Sequence, residues 1–130
     1  MEEPNKITES IIGSAIEVHR ALGPGLLESA YEAALAYELT QKHHLVKQQQ
    51  DLPIMYKGMR LDGGYRLDLV VDQIVIVELK SIERFEPIHE AQLLTYLRLS
   101  GMHVGLLINF NMPVLRQGIK RLVNNLPEKP

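Results

Sequence analysis

Cysteine is missing from the 130-residue sequence. Disulfides and thiolate metal sites are thereby excluded, and a reducing compartment is permitted. No apolar run reaches the eighteen or so residues needed to span a bilayer. The N-terminus Met1-Glu2-Glu3-Pro4 lacks a basic segment followed by an apolar stretch. A cytoplasmic location without membrane association is the expectation. There is no internal repeat, and Gln48-Gln49-Gln50 is too short to count as a low-complexity tract. A positive balance is also lacking. At a formal charge of −2, nucleic-acid binding would have to rest on a local basic face, since phosphate contacts depend on clustered Lys and Arg. Lys57, Arg60, Arg66, Arg84, Arg98, Arg116, Lys120 and Arg121 are available for one, although scattered solvated charge is the plainer account of any single member.

What the chain has is ordinary globular composition, 45% hydrophobic and 23% charged, which argues against disorder or a fibrous repeat. A chain of this length buries roughly two thirds of its unfolded surface, so one domain with one core is expected over residues 1–130. Ile7, Ile11, Ile12, Ala15, His19 and Leu22 recur at helical spacing until Gly23-Pro24-Gly25 stops them. From Leu26 to about Lys42, Leu27, Tyr31, Ala34, Leu35 and Leu39 define a second helix. Between Val46 and Ser81 the period changes to two, with turns at Lys57-Gly58, Asp62-Gly63-Gly64 and Asp72-Gln73, which predicts an antiparallel meander. Pro53 makes its first arm an edge strand or breaks it. Pro87 suits the first turn of a third helix running to Ser100 and closed by Gly101. His103 to Phe110 has the pattern of a buried strand. Residues 113–123 are open between helix and strand: Leu115, Ile119, Leu122 and Val123 fit a short helix that Gly118 weakens.

The chemistry gathers on two neighbouring strands. Tyr65 to Val71 faces Val75 to Lys80 across the turn at Asp72, and two registers compete. Pairing Val71 with Ile74 would put Glu78 and Lys80 on the face of Leu67, Leu69 and Val71, driving charges into an apolar surface. Pairing Val71 with Val75 sorts the side chains, with Leu67, Leu69, Val71, Val75, Val77 and Leu79 on one face. Arg66, Asp68, Val70, Ile76, Glu78 and Lys80 then share the other. The hydrophobic pattern selects this second register. Asp68 and Glu78 then lie opposite one another with Cβ atoms about 4.5–5.5 Å apart, where like charges repel unless a cation lies between them. Lys80 follows roughly 6.6 Å along the same strand. Two hard carboxylates suit Mg²⁺ or Mn²⁺, and such an ion both activates water and neutralises phosphate charge. Lys80 would orient or deprotonate that water, or stabilise the transition state. An Asp-Lys and Glu-Lys salt-bridge ladder on a solvated sheet face fits the same pattern equally well.

Asp68, followed ten positions on by Glu78-Leu79-Lys80, resembles the catalytic strand pair of PD-(D/E)xK nucleases, with Leu67 where the superfamily's name has proline. Gly25-Leu26-Leu27-Glu28-Ser29-Ala30-Tyr31 resembles the signature of the GxxExxY group, and the likeness continues through Gly64-Tyr65-Arg66, His89-Glu90-Ala91-Gln92 and Leu107-Ile108-Asn109-Phe110. Gln92 and Tyr96 are similar to the Q-xxx-Y helix motif of RecB-type nucleases. The resemblance implies an α+β fold with a mixed sheet, a restriction-endonuclease-like core of order α-β-β-β-α-β, and an extra N-terminal helix. It implies Asp68 and Glu78 as metal ligands and Lys80 as the catalytic lysine, with Gln92 supporting them. Glu28 reads as a further ligand or an acceptor for the ion's water, or else as a helix-start glutamate favoured by the macrodipole or paired with Arg66. Tyr96, Tyr31, Arg66 and His89 are weaker substrate-facing candidates, and His89 also fits a helix-start role.

The function so implied is Mg²⁺- or Mn²⁺-dependent hydrolysis of nucleic-acid phosphodiesters, with DNA favoured over RNA. A homodimer would supply the two active sites needed to cut both strands of a duplex. The alternatives are a non-catalytic nucleic-acid- or protein-binding module on the same fold, and a hydrolase of a small phosphorylated compound. Other motifs fail. Gly23-Pro24-Gly25 joins two helices and lacks the third glycine of a dinucleotide fingerprint. His89-Glu90-Ala91-Gln92-Leu93 lacks a zincin's second histidine. His43 and His44 are adjacent and cannot share a helix face.

Overall fold

The computed structural model describes residues 3–61 and 63–126. Pro4 opens α1 (Pro4–Leu22), where a missing N–H costs nothing. Gly23 closes it at φ 71°, its N–H reaching His19 O at 2.8 Å. α2 (Glu28–Gln41) follows and leads into β1 (Val46–Asp51). Pro53 separates β1 from β2 (Ile54–Tyr56), which pairs with β3 (Met59–Leu61) as a separate two-stranded hairpin. Lys57 and Gly58 between them have φ 49° and 81°, the positive pair that a tight two-residue hairpin requires.

β4 (Arg66–Val71) and β5 (Val75–Lys80) form the central antiparallel pair. α3 (Pro87–Ser100) ends at Gly101 in the left-handed region. It carries the chain across to β6 (Val104–Asn109), which runs parallel to β5. The five-stranded sheet has the order β1-β4-β5-β6-β7. The expected α-β-β-β-α-β order is present as α2-β1-β4-β5-α3-β6, preceded by α1, interrupted by the β2–β3 hairpin and extended by β7 (Ile119–Val123).

The open question over residues 113–123 resolves into a 3-10 turn, Leu115–Gly118, followed by β7 antiparallel to β6. Gly118 is there for close approach, because a Cβ would meet Asn109 O at 2.5 Å.

Two apolar layers sandwich the sheet. α1 and α2 supply Ile7, Ile11, Ala15, Tyr31, Leu35 and Leu39 against Leu69, Val71, Val77 and Leu79. α3 supplies Leu93, Tyr96 and Leu97 against Val70, Ile76 and Leu107. α3 lies so close to β6 that a Cβ on Gly105 would sit 3.0 Å from Leu93. One expectation fails here. Leu67 packs in the α3 layer and not with Leu69. The strict alternation of β4 breaks at Asp68, where β4 is no longer paired with β5 in register and where Gln49, across on β1, adopts φ 50°.

Candidate metal centre

The register that the apolar pattern selected is the one observed: Val71 lies opposite Val75, Val70 opposite Ile76 and Leu69 opposite Val77. The paired ladder then stops, and side chains make the next link. Asp68 N–H donates to Glu78 Oε2 at 2.8 Å, and Leu79 N–H donates to Asp68 Oδ2 at 2.9 Å. Each strand lends a carboxylate to the other strand's backbone, which holds the two acids face to face where the strands part.

Glu78 is buried, at 7% exposure. Its carboxyl is pushed up from its usual 4.5 to about 8, first by burial and next by the Asp68 charge; Glu32 adds a little, while the Asp68 N–H bond and Lys80 pull the other way. At neutral pH a proton therefore stands where a cation would otherwise relieve the repulsion. Glu78 Oε1 has no hydrogen-bond partner among the described residues, and Asp68 Oδ1 meets Gln49 Nε2 at 3.3 Å. Hard oxygens with spare lone pairs, those of Glu78 buried where an unpaired charge is costly, fit a small divalent cation that needs one or two carboxylates and keeps water for the remaining positions.

Lys80 stands two residues beyond Glu78, half-buried at the end of β5. Its charge is felt by Glu78, yet among the described residues it forms no ion pair within 4.0 Å. Among the described residues neither Asp68 nor Glu78 forms an ion pair with a lysine. From α3, Tyr96 is 7% exposed, and its hydroxyl is raised by burial and by the Glu78 charge beside it. Gln92 Nε2 donates to Tyr96 Oη at 3.0 Å, so the glutamine on the outer turn steadies the tyrosine on the inner one.

Glu28 departs from expectation. It is exposed at the first turn of α2, one turn before the buried meridian begins at Tyr31, and its Oε2 accepts Ser81 N–H at 3.3 Å. Among the described residues no three His, Cys, Asp or Glu side chains gather closely enough to hold an ion, and the contact Glu28 makes is with the backbone just past β5. Ser81 Oγ also donates to Leu26 O at 2.6 Å, which pins the start of α2 to the end of β5.

Tyr31 is a correction as well. Its ring is fully buried and stacks on Phe110 at 4.4 Å. Its hydroxyl donates to Gly23 O at 2.6 Å and accepts Leu26 N–H at 3.0 Å, so it shapes the loop that delivers Glu28 and is not open to substrate. His89 is spent on capping α3: Nδ1 accepts Glu86 N–H at 2.9 Å, and the ring meets Phe85 edge-on. Arg66 is exposed at the start of β4, 3.6 Å from Asp51.

Two further residues, Glu32 and Asn109, hold the site in place without any motif to mark them. Glu32 accepts from Gln49 at 2.6 Å and from Gln48 at 3.1 Å, and Gln49 passes this tether on to Asp68. Its position four residues after Glu28 on one helix face was the available signal. Asn109, fully buried opposite Lys80, accepts Ile82 N–H at 3.1 Å and donates to Ile82 O at 2.9 Å, fixing the chain just past the lysine.

A mixed five-stranded sheet between helices, with an acidic pair and a lysine where two central strands part, is the framework of the restriction-endonuclease-like class. The chain belongs to the PD-(D/E)XK nuclease superfamily, whose family model matches residues 5–122. Nucleases of this superfamily generally use divalent metals and act on nucleic acid. Comparison with curated proteins gives no match, and neither does comparison with solved structures. Among the described residues no helix is long and apolar enough to cross a membrane.

Proposed function

We propose that this chain is a member of the GxxExxY group that hydrolyses nucleic-acid phosphodiester bonds, DNA in preference to RNA, with Mg²⁺ or Mn²⁺ held by Asp68 and Glu78. The observation that carries the reading is the buried Glu78 carboxyl facing Asp68 across the parted strands, an arrangement whose repulsion a divalent cation removes. When bound, the ion supplies Lewis-acid neutralisation of phosphate charge and a more acidic water.

The chain's own groups do the rest. Lys80, with no ion pair of its own among the described residues, donates from Nζ to a phosphate oxygen as negative charge builds there. Tyr96 and Gln92 form the α3 wall of the site, and Glu28 stands at its rim as a hydrogen-bond acceptor. A cleft of about 330 Å³ is lined by Leu52, Arg60, Gly64 and Tyr65 among others, next to the start of β4. Two copies acting together would cut both strands of a duplex.

Cleavage of single- and double-stranded DNA and RNA by wild type beside Lys80→Ala, with Mg²⁺, with Mn²⁺ and with EDTA, tests the proposal. Metal-dependent cleavage lost in the variant supports it. Salt-sensitive nucleic-acid binding without cleavage favours the non-catalytic module, a reading that draws on the formal charge of −2 and the lack of an obvious basic stripe in the sequence.

A further inference from the structure

At the opposite end of the β4–β5 hairpin, roughly 13 Å along the strand from Asp68, three side chains from distant parts of the chain join in a line. Ser10 Oγ on α1 meets His44 Nε2 at 2.7 Å, and His44 Nδ1 meets Asp72 Oδ2 at 2.6 Å. Asp72 Oδ1 accepts Leu45 N–H at 2.9 Å, which fixes the carboxylate from behind. His44 and Asp72 side chains are only 11% and 21% exposed. His43 at φ 68° turns the chain so that His44 points inward from the α2–β1 connection.

The order of contacts is hydroxyl, Nε2, Nδ1, carboxylate, the arrangement in which a histidine removes a serine proton while an acid holds its tautomer. A structural clamp would need the carboxylate and the imidazole but has no use for open space beside the hydroxyl. Such space exists: a cleft of about 450 Å³ is lined by Ser10, Lys42, His43, His44 and Asp72. Among the described residues the Lys42 ammonium forms no ion pair, so it is available to an oxyanion developing in that cleft. None of these residues belongs to the phosphodiesterase site.

We propose that Ser10, His44 and Asp72 form a second, metal-independent hydrolytic centre for small carboxylic esters, with Lys42 as its electrophilic wall. The Ser10 Oγ–H proton passes to His44 Nε2 as Oγ bonds to the ester carbonyl carbon. The carbon–oxygen bond to the alcohol breaks, and the leaving oxygen takes the proton from Nε2. Water then gives a proton to Nε2 and its oxygen to the acyl carbon, and the acyl–Oγ bond breaks with return of the proton to Ser10. The products are one carboxylic acid and one alcohol, with no oxidant or further reactant.

The full chain is assayed with p-nitrophenyl acetate in EDTA and labelled with a fluorophosphonate probe, the site of labelling being mapped by peptide mass spectrometry. Because the chain has no cysteine, no thiol competes for either reagent. Expected are labelling at Ser10, loss of turnover to the buffer rate in Ser10→Ala, a fall of about 100-fold in Asp72→Asn, and full retention in Lys80→Ala. Equal turnover by wild type and Ser10→Ala overturns the proposal, as does a label mapped elsewhere or its absence from folded wild type. If Asp72→Asn fails to fold, labelling of the wild type still decides. Retention in Lys80→Ala keeps this outcome separate from the fate of the nuclease reading.

Discussion

Glu78→Gln should make the metal-free protein more stable at alkaline pH, although it removes a residue assigned to the active site. Moving an acid's midpoint from 4.5 to about 8 is worth roughly 5 kcal/mol between its two protonation states. The folded midpoint lies above the unfolded one, so the group's favourable contribution is complete below pH 4.5 and is lost as pH rises through about 8. Between pH 5 and 8.5 the wild type in EDTA should lose up to about 4 kcal/mol through this residue, a fall of roughly 10–15 °C in Tm for a domain of this size. A glutamine carries no such proton, and its side-chain carbonyl can still accept Asp68 N–H. Calorimetric melts of both proteins across that range measure the difference directly, since every other titrating group is common to the two. Mg²⁺ should then restore the wild type at pH 8 by binding the ionised pair, and leave the variant nearly unmoved. Parallel Tm profiles for the two proteins from pH 5 to 8.5 would refute the assignment of a burdened, proton-holding Glu78.

Asp68→Asn should also stabilise the metal-free fold above neutral pH, by less than Glu78→Gln, because burial and not Asp68 is the larger cause of the Glu78 displacement; it should weaken Mg²⁺ binding as read by titration calorimetry. Lys80→Ala should melt within about 0.5 kcal/mol of wild type at pH 6, where Glu78 is neutral, fall behind it above pH 8, and keep its metal while losing cleavage. Tyr31→Phe should cost about 1–3 kcal/mol in urea unfolding, since Leu26 N–H and Gly23 O both lose their partner. Gly118→Ala should cost about 1–3 kcal/mol, because its Cβ must push the Asn109 carbonyl off the end of β6.

Gly23, Pro87 and Gly101 marked helix ends correctly because capping is local chemistry that needs no tertiary partner. The β4–β5 register was legible because a slip of one residue would have sent Glu78 and Lys80 into the apolar layer. Leu67 was misplaced because strict alternation assumes an unbroken ladder, and the ladder breaks at Asp68. The helix-start account of Glu28 was legible from its place at the first turn of α2, but its bond to Ser81 N–H spans 53 residues and no local pattern reports it. The Tyr31 hydroxyl has both partners within eight residues, but no periodicity reports a bond across a loop. The Ser10, His44 and Asp72 line was illegible for a further reason: its members are 34 and 28 residues apart, and only the folded chain brings them into reach.

The parted strands have one more consequence. The amide protons of Asp68 and Leu79 find their acceptors on ionisable side chains and not on carbonyl groups. Shortening, neutralising or engaging either acid therefore changes a joint of the sheet along with the chemistry of the site. Those two backbone protons become resident indicators: their exchange with solvent deuterium should slow or quicken as a cation enters between the acids, reporting occupancy at single-residue detail without substrate, dye or turnover.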